Sequence, residues 1–209
     1  MFTLQKTRIF FKFIQIPVYT LGQKKFKKSC VELSTKVSDS GFLPDVVISI
    51  ATGGDYVAEN MKDSLSCDFY SVKKRRSTTK KKESLAGRIV FKAILLLPYS
   101  ITNLLRKIEH YHLNRDIPIA NVGDVDGTEV IAKFCQKSIV KNILIVDDAV
   151  DSGNTLLSVI ESLKNIFGDS VTMKSAAIVV TTDHSVVYPD FFLYKNALVR
   201  FPWSKDFNE

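Results

Sequence analysis

Cysteine is scarce in this 209-residue chain: Cys30, Cys67 and Cys135 are an odd number at no metal-binding spacing. That excludes a disulfide framework and favours a reducing, cytoplasmic setting. Long apolar runs are absent too. No stretch reaches the roughly 20 residues needed to span a bilayer. Met1-Phe2-Thr-Leu-Gln-Lys meets charge at once, without the apolar core and small-residue cleavage site of a secretory leader. There are no internal repeats and no heptads. The three histidines, His110, His112 and His184, stand in no partner pattern and receive no role. Acidic charge is the minority sign, with 22 Asp and Glu against 29 Lys and Arg, a net charge of +7. This basic excess comes without an interleaved aromatic series or a helix-turn-helix pattern, so no nucleic-acid partner is expected. The length predicts a single domain, residues 1–209, large enough for a full core.

What is present is an alternation of strands and helices. Residues 7–20 are β-like, and Pro17 confines any strand there to a sheet edge. Phe26, Cys30, Leu33 and Val37 mark one face of a helix, with lysines opposite, and Gly41 and Pro44 end it. Asp45-Val-Val-Ile-Ser-Ile-Ala51 reads as a buried strand, Thr52-Gly53-Gly54 as a tight turn, 55–65 as a helix and Phe69-Tyr-Ser-Val72 as a third strand. Residues 85–113 predict two helices joined at Pro98-Tyr99, with more apolar surface than a lid needs. That surface leaves three readings: packing on the domain, a homodimer seam, or peripheral contact of residues 88–111 with an anionic membrane face. Asn121-Val-Gly-Asp-Val-Asp-Gly127 holds turn formers and acids, but not at calcium-loop spacing. A helix over 129–137, a strand over 171–180 and two short strands, 191–194 and 197–201, turning at Lys195-Asn196, complete the pattern. Strands alternating with helices imply a parallel sheet flanked by helices, the α/β class.

The most informative run is Ile143-Leu-Ile-Val-Asp147-Asp148-Ala-Val-Asp151-Ser152-Gly153-Asn154-Thr155. A buried strand ends in two carboxylates. A Ser-Gly-Asn-Thr loop follows, and Leu156, Leu157, Ile160 and Leu163 open a helix. Free amides at a helix start, with a glycine that admits close approach, bind phosphate. Adjacent carboxylates suit ribose hydroxyls, a magnesium ion or a developing positive charge.

In order and spacing this run resembles the phosphoribosyl-diphosphate (PRPP) motif of type I phosphoribosyltransferases. Ile50-Ala51-Thr52-Gly53-Gly54, roughly 90 residues earlier, resembles the pyrophosphate-binding turn of the same family. The resemblance covers residues 45–72 and 140–203. It implies a type I phosphoribosyltransferase-like parallel sheet flanked by helices, with a C-terminal hood and, in this chain, a helical insert over about 85–113. It further implies transfer of a 5-phosphoribosyl group from PRPP to an acceptor, releasing pyrophosphate. Asp147 and Asp148 are then expected on the ribose hydroxyls and near the oxocarbenium-like charge. Amides from Asp151 through Ser152, Gly153, Asn154 and Thr155, with the Ser152 and Thr155 hydroxyls, are expected on the 5-phosphate, and Thr52, Gly53 and Gly54 on pyrophosphate. Mg2+ is expected to arrive on the diphosphate, without direct protein ligands. The family carries a closing loop near residues 73–82, where this chain has Lys-Lys-Arg-Arg-Ser-Thr-Thr-Lys-Lys-Lys. That basic run is read either as a lid that neutralises the diphosphate or as a solvated loop.

The tail, Tyr188-Pro-Asp-Phe-Phe-Leu-Tyr194 and Phe201-Pro-Trp203, resembles the hood of xanthine/guanine/hypoxanthine-type enzymes. Asp151 fits that branch, with an implied role as general base toward an acceptor N–H. The acceptor pocket is expected at Thr181, Leu198, Val199 and Trp203. Three positions depart from the branch. Thr181 stands where those enzymes place a lysine, Leu198 where they place a stacking aromatic ring, and Thr52 where many place Arg or Lys. The acceptor therefore stays open among three readings. A purine-like nucleobase leads, followed by a hydroxyl of a membrane-linked glycan, giving a ribofuranosylated polysaccharide. The third is a regulator that senses PRPP without turnover.

Overall fold

The chain orders its elements as β1 (Val18–Thr20), α1 (Gln23–Asp39), β2 (Val46–Ile50), α2 (Gly53–Met61), β3 (Asp68–Lys74), α3 (Tyr99–Leu113), β4 (Val125–Asp126), α4 (Thr128–Cys135), β5 (Asn142–Val150), α5 (Asn154–Phe167), β6 (Thr172–Val180), β7 (Phe191–Lys195) and β8 (Leu198–Arg200). The structure, a computed structural model, describes residues 15–74, 97–113, 118–135 and 140–208. Six strands form one sheet in the order β4-β3-β2-β5-β6-β7. All neighbours are parallel except β4, which runs antiparallel to β3.

Strand β5 shows why the sheet takes helices on both faces. Its pleat sends successive side chains to opposite sides. Ile143 and Ile145 join Val46, Ile48, Leu156, Val159 and Leu163 in one apolar cluster, beneath α4 and α5. Leu144 and Val146 join Leu33, Val47, Val57 and Met61 in the other, beneath α1 and α2. Both faces of an all-apolar strand must leave water, so helical layers close each side. This is the α/β parallel sheet that the alternation predicted.

The two short C-terminal strands do not form the predicted hairpin. β7 adds to the sheet parallel to β6, while β8 leaves it and pairs in parallel with β1 as a separate two-stranded sheet. The chain turns at Asn196, in the left-handed region at φ 51°. There the Asn196 N–H donates to the Val180 carbonyl at 2.9 Å and the Leu198 N–H to the Pro17 carbonyl at 2.9 Å. All three residues of β8 are buried, a demand that a hairpin at the sheet edge could not meet. The expected edge strand near Pro17 exists as β1; residues 7–14 lie outside those described.

Of the two helices expected in the insert, α3 begins one residue after Pro98, and residues 85–96 lie outside those described. The polar side of α3 faces inward. Arg200, at 0 % exposure, donates to Thr20 Oγ1 (2.9 Å), Thr102 Oγ1 (2.8 Å) and Asn103 Oδ1 (2.8 Å). It also donates to Asp206 at 3.0 Å, and Tyr99 lies over its guanidinium, 4.2 Å from ring centroid to Cζ. Arg106 reaches the same Asp206 carboxylate at 2.8 Å and the Val199 carbonyl at 3.4 Å. The Tyr99 hydroxyl meets the backbone of Asn208. This side of the insert is therefore packed on the C-terminal hood. Its apolar residues lie outward, with Ile101, Leu104, Leu105 and Ile108 between 36 % and 46 % exposed. Among the described residues no helix is long and apolar enough to cross a membrane.

Burial alone would push the Asp206 carboxyl up, but hydrogen bonds and charge from Arg106 and Arg200 bring it down to about 2. A carboxyl depressed by folding stabilises the native state above its unfolded value, and that stability is lost as pH falls toward the folded value. Asp206→Asn is thus expected to lower stability near neutral pH by about 2 kcal/mol, a difference shrinking between about pH 4 and about pH 2. Urea melts of both proteins across that range check this; a pH-independent difference contradicts it.

Candidate functional site

In an open parallel sheet, ligands bind beyond the carboxyl ends of the strands, where the strand order changes direction. Here the chain steps outward from β2 to β3 on one side and from β5 through β6 to β7 on the other. The crevice between β2 and β5 is that switch point. A cleft of about 1470 Å³ opens there, lined by Thr52 and Gly53 after β2, Lys73 and Lys74 of β3, and Asp147 through Gly153 around the end of β5. The two sequence motifs, far apart in the chain, meet across it.

Two helices point their N-termini at this cleft. Neither Thr52, ahead of α2, nor Gly153, ahead of α5, caps its helix with a side chain; the Asn154 N–H makes one long bond to Ser152 Oγ at 3.4 Å, and helix-start amides of this kind are suited to an anion. Gly53 and Gly54 do not form the expected turn ahead of the helix; they are its first two residues. Neither lies at positive φ, so strained dihedrals are not what they supply. They supply room. A Cβ on Gly53 would sit 2.1 Å from the Asp148 carboxyl carbon, and one on Gly54 would sit 2.5 Å from the Val146 carbonyl oxygen. Gly153 does require the left-handed region, at φ 78°, and a Cβ there would meet Ser185 Oγ at 2.4 Å.

The pleat of β5 roots the two carboxylates on different sides of the strand, yet their carboxyl groups still interact. Asp148 falls on the α2 side, against Gly53, and the Asp148 N–H donates to Asp147 Oδ1 at 2.9 Å. Burial, then the neighbouring Asp148 charge, pushes the Asp147 carboxyl well above the usual carboxylate range. Burial pushes Asp148 up as well. Facing them is Lys74, held down by burial, whose ammonium donates to the Asn154 carbonyl at 2.9 Å. Lys73 and Lys74 stand in β3, fixed by pairing with Asp126 and Val125 of β4, so the first two residues of the basic run are strand rather than loop. Residues 75–82 lie outside those described. The Asn154 side-chain oxygen accepts from the Asn121 N–H at 2.8 Å.

Asp151 stands exposed at the cleft's far end. Its Oδ1 accepts a hydrogen bond of 2.5 Å from the Thr181 hydroxyl, and Thr181 is buried at the end of β6. Of the other acceptor-pocket residues, Leu198, Val199 and Trp203 do not line the cleft. Leu198 and Val199 are buried in β8. Trp203 stacks on Tyr56 (4.5 Å between centroids) and Phe201 (4.8 Å), with Phe26 edge-on at 5.0 Å. Sequence reasoning missed three contributors. The segment from Asn121 to Asp126 lines the cleft, foreshadowed only by its turn formers and acids. Lys74 is one lysine among many. His110 of α3 is buried close to the Thr181 backbone and the Asp151 charge, and nothing in the sequence marked it.

This arrangement suits a doubly anionic ligand with a hydroxylated centre. Two helix starts take the anions, adjacent carboxylates face what lies between, and lysines offset charge. Among the described residues no group of three or more His, Cys, Asp or Glu is placed to hold a metal ion.

The sequence profile of the phosphoribosyl transferase domain matches residues 20–186. Among proteins of curated function, none matches the chain. Solved structures with the same fold include a purine phosphoribosyltransferase from Pyrococcus horikoshii, at 19% identity and a TM-score of 0.54, with 90% of this chain and 95% of that one covered. The Helicobacter pylori xanthine-guanine-hypoxanthine phosphoribosyltransferase is similar at 17% identity and a TM-score of 0.54, over 89% and 92%. A hypothetical protein from Neisseria gonorrhoeae with bound ppGpp is similar at 14% identity and a TM-score of 0.58, over 90% of each chain.

The raised Asp147 carboxyl has a measurable consequence. The native state holds a proton there that the unfolded chain has released, so stability falls as pH rises from about 4 through the raised value. Ligand-free Asp147→Asn is expected to melt higher than wild type near pH 8 and to merge with it in acid. Thermal melts over that range test this, and parallel curves at every pH contradict it.

Proposed function

Because the chain belongs to the phosphoribosyl transferase domain family and is a PRPP-dependent phosphoribosyltransferase, we propose that its acceptor is a purine-like nucleobase and that the roles divide along the cleft. The 5-phosphate takes the start of α5, on the amides from Asp151 to Thr155 with the Ser152 and Thr155 hydroxyls. The pyrophosphate takes Thr52 and the start of α2, with Lys73 and Lys74 offsetting its charge. Asp147 and Asp148 bind the ribose hydroxyls between them. The observation that carries this reading is one cleft flanked by two uncapped helix starts, with the carboxylate pair at its floor. Magnesium, carried on the diphosphate, would offset the charge of the leaving pyrophosphate.

In the reaction, the bond from the anomeric carbon to the diphosphate oxygen breaks and pyrophosphate departs with the electron pair. Positive charge then grows on the ribose ring, within the field of Asp147 and Asp148. An acceptor nitrogen forms the new bond and gives its proton to the Asp151 carboxylate. Ligand charge also resolves the strained pair. Asp147 and Asp148 resist joint ionisation on their own, and a cation-like centre favours both as carboxylates.

Calorimetry with Mg-PRPP is expected to show binding that weakens at least about tenfold in Asp148→Ala, or about 1.4 kcal/mol. Asp151→Asn is expected to keep PRPP affinity while turnover of guanine, xanthine or hypoxanthine falls by about 100-fold. Unchanged affinity in the first variant, or normal turnover in the second, contradicts the assignment.

A second acceptor, the hydroxyl of a membrane-linked glycan, is favoured by one observation: the exposed Ile101, Leu104, Leu105 and Ile108 stripe on α3. On that reading the protein co-sediments with anionic liposomes, less so in salt, and Leu104→Glu with Leu105→Glu abolishes it without unfolding the chain. Wild type that ignores liposomes and turns over a free purine base removes it. A monomer obtained from a wild-type dimer by the same substitutions identifies the stripe as a seam between two copies.

A further inference from the structure

Helix α2 begins with two residues that have no side chain. Gly53 lines the cleft and Gly54 is buried behind it, so neither can anchor its own amide. The first anchor the helix offers is Asp55, half-buried at its third position. Asp55 Oδ1 accepts two hydrogen bonds, from the Ser49 hydroxyl at 2.5 Å and from the Ser71 hydroxyl at 2.6 Å. The Tyr70 carbonyl, 3.3 Å from Ser49 Oγ, is a poorer second acceptor. Ser49 comes from β2 and Ser71 from β3, and the two are register partners in that parallel pair. One carboxylate oxygen thus ties the helix start to two neighbouring strands.

The strand patterns mark these serines as exceptions. The pleat turns Val47 and Ser49 of β2, and Phe69 and Ser71 of β3, toward the α2 side of the sheet. Val47 and Phe69 belong to the apolar layer there. The next position on that side is serine in both strands, although Ser49 is only 5 % exposed. A buried hydroxyl costs stability unless it is bonded, so packing alone would favour an apolar residue at 49. Neither serine lines the cleft, and nor does Asp55. We propose that Asp55 is a positioning residue for the leaving group: clamped by Ser49 and Ser71, it fixes the start of α2 so that the Gly53 and Gly54 amides hold one aim at the pyrophosphate. This deepens the assignment of pyrophosphate to the start of α2 and rests on it. A carboxylate this near an anion site opposes the ligand by charge. Asp55 therefore serves the site through the bonds it accepts, and the experiment separates those bonds from its charge.

Calorimetry uses one probe for each end of the cleft, Mg-pyrophosphate for the start of α2 and ribose 5-phosphate for the start of α5. Asp55→Ala is expected to weaken Mg-pyrophosphate about tenfold, the scale of a lost hydrogen bond to a charged group, and to leave ribose 5-phosphate unchanged. Asp55→Asn keeps an oxygen for both hydroxyls and is expected to bind Mg-pyrophosphate at least as well as wild type. Ser49→Ala combined with Ser71→Ala keeps the Asp55 charge and removes both donors. It is expected to show the same selective loss, and it serves in place of Asp55→Ala should that variant not fold. Equal losses for both probes, matched by a lower melting temperature, show a merely structural role and overturn the proposal. So does Asp55→Asn binding as weakly as Asp55→Ala, or a double serine variant that binds like wild type. A second arm needs no ligand. NMR relaxation of the Gly53 and Gly54 amides, with Gly153 as internal reference, is expected to show backbone order lost in the double serine variant and kept in Asp55→Asn. Unchanged order in the double variant overturns the proposal. Wild type that does not bind Mg-pyrophosphate defeats the assignment of pyrophosphate to α2 instead, and the relaxation arm then decides whether Asp55 holds the helix start.

Discussion

Everything in this molecule depends on the two-residue period of β5. Within the sheet the period distributes apolar side chains evenly, Ile143 and Ile145 to one helical layer and Leu144 and Val146 to the other. The same alternation carries on past the apolar stretch, where it roots Asp147 and Asp148 on different sides of one strand with their carboxyl groups still in contact. The strain of having two carboxylates together is thus written by the backbone that builds the core. A residue inserted or deleted in β5 would move the acids and the core in the same stroke.

The approach of β2 to β5 turns that strand end into a site. Parallel pairing of Val46 through Ser49 with Ile143 through Val146 brings the start of α2 beside the acids. That approach is close enough that only glycine fits at positions 53 and 54. Burial raises the carboxyls in the same place where amides stand uncapped. The half of the cleft that we propose for the donor is therefore made by adjacency in the sheet, with few side-chain options left. The other half is made differently, by residues from separate strands meeting at Asp151, where the Thr181 hydroxyl reaches it.

That division explains what could be read beforehand. Strands β2, β5 and β6 were legible because apolar runs bounded by turn formers have one cheap conformation. The run from Asp147 to Thr155 was legible because strand, acids, glycine and helix follow one another without a gap. The partner of β8 was not, since pairing with β1 joins residues 18–20 to 198–200 and no local pattern records it. Trp203 looked like a pocket residue by its place in the tail, but Tyr56 and Phe201 claim both its faces. His110 is one letter in a helical pattern, given meaning only when α3 docks.

The inverted character of α3 has a consequence for how that docking behaves. A helix seated by an apolar face can slide or roll by small steps, since grease tolerates many registers at similar energy. This one is seated by Thr102, Asn103 and Arg106 against Arg200, Asp206 and the Val199 carbonyl. Directional bonds of this kind survive neither a rotation of 100° nor a shift of one residue. The helix therefore works as a ruler with a single mark: it is seated at one register or not seated at all.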